Sequence, residues 1–108
     1  IQLAKIIATI HDAGIIHGDL TTSNILTKKQ DTSYELVLID FGLSFFSEKL
    51  EDRAVDIHLL YQAFESTHYL FAKNYESLFQ KAYALHSPLG EQTLLRLQEV
   101  QKRGRNKH

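Results

Sequence analysis

Ile15-Ile16-His17-Gly18-Asp19-Leu20-Thr21-Thr22-Ser23-Asn24 is followed, further along the chain, by Leu38-Ile39-Asp40-Phe41-Gly42. These two stretches decide how the sequence is read. They hold an Asp and an Asn five residues apart, then a second Asp behind an apolar run. Phosphoryl transfer needs that set. One Asp meets the attacking hydroxyl or water. An Asn oxygen and another Asp hold Mg²⁺ against the phosphates, because Mg²⁺ takes a few hard oxygen ligands and keeps several waters. Val37, Leu38 and Ile39 would bury the strand that presents Asp40. The plain alternative for residues 19–24 is a turn, since Asp, Thr, Ser and Asn all favour turns. A turn alone does not account for Asp40-Phe41-Gly42 at this distance.

Working outward, Ile1 to Ala13 reads as a helix, with Leu3, Ile6, Ile7 and Ile10 spaced by three and four. Gly14 is its natural stop, because Gly takes a left-handed backbone at little steric cost. Asn24 to Thr27 and Glu35 to Ile39 read as two short strands. The polar run Lys28 to Ser33 would be the hairpin tip between them. Beyond Phe41 the pattern is helical. Leu50 to Ser66 puts Ala54, Ile57, Tyr61 and Phe64 on one stripe, with Glu51 and Asp52 in the first turn where the helix dipole favours acids. Phe71 to Leu85 repeats the pattern with Phe71, Tyr75, Leu78, Phe79 and Ala82. Ser87, Pro88 and Gly90 punctuate, and a last helix is predicted from Glu91 to Lys102, with Leu94, Leu95, Leu97 and Val100 apolar. The expected fold is mainly α with one small β-hairpin.

The 108 residues suit one small domain or part of a larger one. There is no Cys, which excludes disulfides, thiolate metal sites and a Cys nucleophile. There is no Met either, which predicts a piece of a longer parent. The apolar runs fall far short of the roughly 20 residues that span a bilayer, and no signal peptide is visible. The expected setting is reducing and intracellular, away from membranes. A net charge of −1 hides a division. Four of the 12 basic residues are Lys102, Arg103, Arg105 and Lys107, and no acid lies beyond Glu99. An acidic body (residues 1–101) thus carries a basic tail (residues 102–108). The tail is either a phosphate or nucleic-acid contact or a solvated terminus.

Taken together, the two stretches resemble the C-terminal lobe of the protein-kinase superfamily. His17-Gly18-Asp19-Leu20 with Asn24 matches the catalytic loop, and Asp40-Phe41-Gly42 matches the metal-binding DFG element. The resemblance covers essentially the whole chain and implies that the N-terminal lobe is absent. It narrows further. His-Gly-Asp-Leu-Thr-Thr-Ser-Asn, Leu-Ile-Asp-Phe-Gly-Leu-Ser and then Glu51-Asp52-Arg53-Ala54-Val55-Asp56 are similar to the kinase-like ATPase subunit family of the KEOPS (EKC) complex, also described as p53-regulating kinases. Arg103-Gly104-Arg105 resembles that family's basic tail.

The resemblance implies an atypical serine/threonine kinase or ATPase that uses ATP and Mg²⁺. It would support threonylcarbamoylation of tRNA while bound to the tRNA-modifying subunit and other members of the complex, in the cytoplasm, the nucleus or both. Asp19 would be the catalytic base, and Asn24 and Asp40 the metal ligands. His17, Phe41, Gly42 and Asp56 would support the site, with the His17 ring near Phe41. The Asp56 carboxylate would accept backbone N–H bonds from the loop around His17 and Gly18, unless it is simply a first-turn helix acid. Lys102, Arg103, Arg105 and Lys107 would face RNA or the active site. His11, His58, His68 and His86 show no ligand spacing and are expected at the surface or the core edge.

Departures from the pattern matter too. Gly18 stands where most eukaryotic protein kinases have an Arg that pairs with a phosphorylated activation loop, so that switch is expected to be missing. The interval from Asp40 to Asp56 is short and holds no Ala-Pro-Glu element. That favours ATP hydrolysis or a restricted substrate. Without a Gly-rich loop or a strand Lys, the chain alone is expected to be inactive and ordered only with its parent or a partner. Two other functions compete. One is a small-molecule phosphotransferase of the aminoglycoside or choline kinase type, which usually carries a helical insertion not seen here. The other is a pseudokinase docking module, which would not need all of Asp19, Asn24 and Asp40.

Overall fold

The computed structural model describes residues 2–105. Helix α1 (Gln2–Asp12) leads through Gly14 into a two-residue strand, β1 (Ile15–Ile16). A single 3₁₀ turn at Thr22–Asn24 precedes the hairpin strands β2 (Ile25–Gln30) and β3 (Ser33–Leu38). A second two-residue strand, β4 (Phe45–Phe46), precedes helices α2 (Leu50–Thr67), α3 (Ala72–His86) and α4 (Gly90–Arg105).

The core lies among the helices. Ala4, Ile7 and Ala8 of α1 share one buried cluster with Ala54, Ile57, Leu60, Tyr61 and Phe64 of α2, Phe79, Ala82 and Tyr83 of α3, and Leu97 and Val100 of α4. Leu20, from the loop after β1, is fully buried in the same cluster. Burying its side chain gains about 1.5–3 kcal/mol and fastens the loop to the helices.

Four details depart from the sequence reading. The hairpin ladder runs further than its apolar residues suggest, with Lys28 opposite Glu35 and Gln30 opposite Ser33. The turn is therefore only Asp31-Thr32. Its outer half is exposed on both sides, so polar residues there cost nothing, and the Gln30 amide donates to Glu35 at 2.9 Å. The antiparallel pairing of β1 with β4, Ile15 opposite Phe46 and Ile16 opposite Phe45, has no local sequence signal. On α3 the buried face is Ala72, Glu76, Phe79, Ala82 and Tyr83, whereas Phe71, Tyr75 and Leu78 are exposed. On α4 it is Thr93, not Leu95, that is buried, and the Thr93 hydroxyl donates to the Leu89 carbonyl at 2.8 Å. Both shifts have one cause: the neighbouring helices, not the helix's own apolar stripe, set which face is covered.

Helix α4 also runs on to Arg105, beyond the helix end predicted at Lys102. Arg103 and Arg96 both pair with Glu51 at the start of α2, which clamps α4 to α2. The Arg103 hydrogen bond is the main cause that holds the Glu51 carboxyl below its usual range. Lys102 is exposed. Arg105 is described only as the last helical residue, and Lys107 lies outside the described residues.

Candidate active site

The loop between β1 and the hairpin is built on one carboxylate. Asp56, on the second turn of α2, is 2 % exposed. Its Oδ1 accepts the Gly18 N–H at 3.0 Å, and its Oδ2 accepts the His17 N–H at 3.0 Å. Oδ2 also accepts from the His11 ring at 2.8 Å. A buried carboxylate needs such donors, because desolvating an unpaired charge is costly. Both loop amides are thereby tied to the helical body, and the next residue, Asp19, is half-buried.

His17 ties the two signature stretches together. It is fully buried. Its Nδ1 accepts the Asp19 N–H at 3.1 Å, and its Nε2 lies 2.9 Å from the Ile39 carbonyl. That pattern selects the neutral tautomer with the proton on Nε2, donating to Ile39. The ring also packs on Phe41, with centroids 4.6 Å apart. One imidazole thus touches the Asp19 backbone N–H, the carbonyl just before Asp40 and the ring just after it.

Asn24 supplies a second tie. Its Nδ2 donates to the Asp19 carbonyl at 2.9 Å and to Asp19 Oδ2 at 3.0 Å. Its own carbonyl accepts the Ile39 N–H at 3.0 Å. With Nδ2 committed to Asp19, Oδ1 is the end left for a cation. Asp40 is exposed and has φ +59, a left-handed conformation that an Asp adopts at some cost. Gly42 N–H lies 3.4 Å from Asp40 Oδ1, and the Ser44 hydroxyl donates to the Phe41 carbonyl at 2.6 Å. The set is one exposed carboxylate, one half-buried carboxylate and the amide oxygen of the buried Asn24, all hard oxygen donors of the kind Mg²⁺ takes.

Gly18 has a role beyond the absent Arg. Its φ is +87, and a Cβ there would press into the Leu43 backbone, 3.0 Å from its carbonyl carbon and closer still to its oxygen. Only glycine lets the segment after Asp40 lie against the loop. The Ser47 N–H donates to the Gly14 carbonyl at 2.8 Å, and the β1–β4 pair closes the segment between. The segment is therefore short and folded back.

The structure corrects the expectation for His11. It is fully buried, and besides Asp56 it meets the Tyr83 hydroxyl at 2.8 Å through Nδ1. Burial pushes the Tyr83 phenol up to about 12, so it stays protonated. Arg53, also overlooked, is buried and donates to the His11 carbonyl at 2.6 Å and to Asp12 at 3.2 Å. Ser87 donates to the same Asp12 oxygen at 2.7 Å. No local spacing could reveal these residues, because each contact joins distant parts of the chain.

Residues 1–83 match the model of the lipopolysaccharide kinase (Kdo/WaaP) family. The chain belongs to that kinase-like family. It is 45 % identical to a probable bifunctional tRNA threonylcarbamoyladenosine biosynthesis protein of Methanosarcina mazei, over 96 % of the chain and 18 % of the relative. It is 42 % identical to the mouse (Mus musculus) EKC/KEOPS complex subunit Tp53rkb, over 98 % of the chain and 43 % of the relative. It is 36 % identical to the KEOPS complex subunit Bud32 of Pyrococcus abyssi, over 96 % of the chain and 46 % of the relative. The chain therefore spans less than half the length of each of these curated relatives. Its likeness to these KEOPS/EKC complex subunits extends over nearly all of it. Among the described residues, no helix is long and apolar enough to cross a membrane.

Proposed function

We propose that the chain is the catalytic-loop half of an ATP-dependent phosphoryl-transfer protein, an ATPase or atypical serine/threonine kinase, that supports tRNA threonylcarbamoyladenosine formation as a KEOPS subunit. One observation carries the chemical part. Asn24 bonds to Asp19 through its nitrogen and to the strand leading into Asp40 through its backbone. Catalytic loop and DFG element therefore form one unit. In this reading Asp19 accepts the proton of the attacking hydroxyl or water. Asn24 Oδ1 and Asp40 hold Mg²⁺, which when bound would neutralise charge on the phosphates. His17, Phe41, Gly42 and Asp56 keep these groups in register. The biological part rests on the relatives named for tRNA modification and for the complex.

The partners would be the tRNA-modifying subunit and other members of the complex. The basic end would meet tRNA through Lys102, Arg105 and Lys107, with Arg103 contributing less because Glu51 already pairs with it. The folded-back segment after Asp40 leaves little platform for a peptide, which supports ATP hydrolysis over broad protein phosphorylation. The test is phosphate release from ATP by the full-length parent, with and without the tRNA-modifying partner, comparing wild type with Asp40→Ala. Turnover raised by the partner and lost in the variant is expected. Equal turnover in both proteins would remove Asp40 as a metal ligand. Repeating the assay with tRNA and a Lys102→Ala/Lys107→Ala variant tests the basic end, and unchanged stimulation would exclude an RNA role for it.

A further inference from the structure

The hydrogen bonds under the catalytic loop do not end at Asp56. They continue through His11 to Tyr83, one residue from α1 and one from α3. We propose that Tyr83 is a positioning residue, which acts through His11 on the Asp56 carboxylate and through it on the His17 and Gly18 amides that aim Asp19. The inference rests on the phosphoryl-transfer reading of the site.

Five observations support it. His11, Asp56 and Tyr83 are all essentially excluded from solvent, so none can exchange a lost partner for water. The His11 ring is held at both nitrogens, at 2.8 Å each, which fixes its rotation. Asp56 Oδ2 serves His11 and His17 N–H together, so a turn of the imidazole pulls on the same oxygen that holds the loop. Tyr83 stays protonated and can donate to Nδ1, which leaves the Nε2 proton for Asp56. The Tyr83 ring also meets the His11 ring edge-on, with centroids 5.7 Å apart. A residue on α3 thus governs a loop it does not touch, and small displacements of catalytic groups are expensive in rate.

A matched control exists in the same core. Tyr61 is equally buried, and its hydroxyl donates to the Glu76 carbonyl at 3.3 Å, with no bond toward the loop. The experiment compares full-length parents carrying Tyr83→Phe or Tyr61→Phe. It reads kcat and KM for ATP, with amide hydrogen exchange at His17 and Gly18. Tyr83→Phe should lower kcat about tenfold, the rate equivalent of one lost buried hydrogen bond. KM for ATP should stay within about twofold, and exchange at both amides should quicken. Tyr61→Phe should leave all three as in wild type. Wild-type kcat in Tyr83→Phe, a loss without faster exchange, or an equal loss in Tyr61→Phe each overturns the positioning role while leaving phosphoryl transfer standing. A wild-type parent with no turnover removes the phosphoryl-transfer reading, and this inference with it.

Discussion

Asp56→Ala takes the acceptor from three buried hydrogen bonds at once. The donors are the His17 and Gly18 amides, both at 3.0 Å, and the His11 ring at 2.8 Å. A buried donor left without an acceptor costs about 1–3 kcal/mol. The three share one carboxylate, so their costs do not simply add. Breaking one side of a buried, hydrogen-bonded charge typically costs about 3–5 kcal/mol, which is the expected loss here. With a urea slope of about 1–3 kcal/mol per M, the unfolding midpoint of the full-length parent should fall by at least about 1 M. Asp52→Ala is the comparison. Asp52 is a first-turn acid of the same helix, half-exposed, and accepts one bond from the Ser47 hydroxyl at 2.6 Å. Its loss should resemble that of an ordinary helix cap, about 1 kcal/mol. If Asp56→Ala costs no more than Asp52→Ala, then Asp56 is only a helix-terminal acid and the reasoning fails.

Two further outcomes are expected. Gly18→Ala should destabilise the protein by more than about 2 kcal/mol, because a left-handed Ala alone costs about 1–2 kcal/mol and its Cβ meets the Leu43 backbone. Limited proteolysis should then cut near Leu43–Phe46, and resistance equal to wild type would contradict the close packing. Glu76→Gln should flatten the stability profile between the ordinary carboxyl range and about pH 7. Burial first, and Glu65 second, push the Glu76 carboxyl up to about 7. A carboxyl with a raised folded pKa holds a proton that the unfolded chain has released, so stability falls as pH rises from the ordinary carboxyl range to about 7. The gain in Glu76→Gln should be on the order of 1–3 kcal/mol at pH 8 and vanish near pH 4. A wild-type profile with no slope in that window would refute it.

How far the sequence reached can be judged residue by residue. The 3.6-residue periodicity located four helices, because burial of an apolar stripe leaves a local mark. It erred in phase where that mark misleads. Glu76 and Thr93 are buried although polar, and Leu78 and Leu95 are exposed although apolar. The spacing of Asp19, Asn24 and Asp40 was legible because loop and hairpin are consecutive in the chain. His11 was misread as peripheral, since its partners Asp56 and Tyr83 lie far along the chain. Arg53 was given no role, and the β1–β4 pairing escaped notice, for the same reason.

The sequence by itself determined the four helices, the hairpin and the order of Asp19, Asn24 and Asp40 along the chain. These depend on short-range rules: apolar period, turn chemistry and the oxygens a hard cation needs. Only the tertiary structure decided what holds them. It made Asp56 the acceptor for the loop, gave Gly18 a steric duty against Leu43, and joined Tyr83 to the loop through His11. Buried hydrogen bonds are specified by which groups the packed helices bring together away from water, and that pairing has no period a linear chain can display.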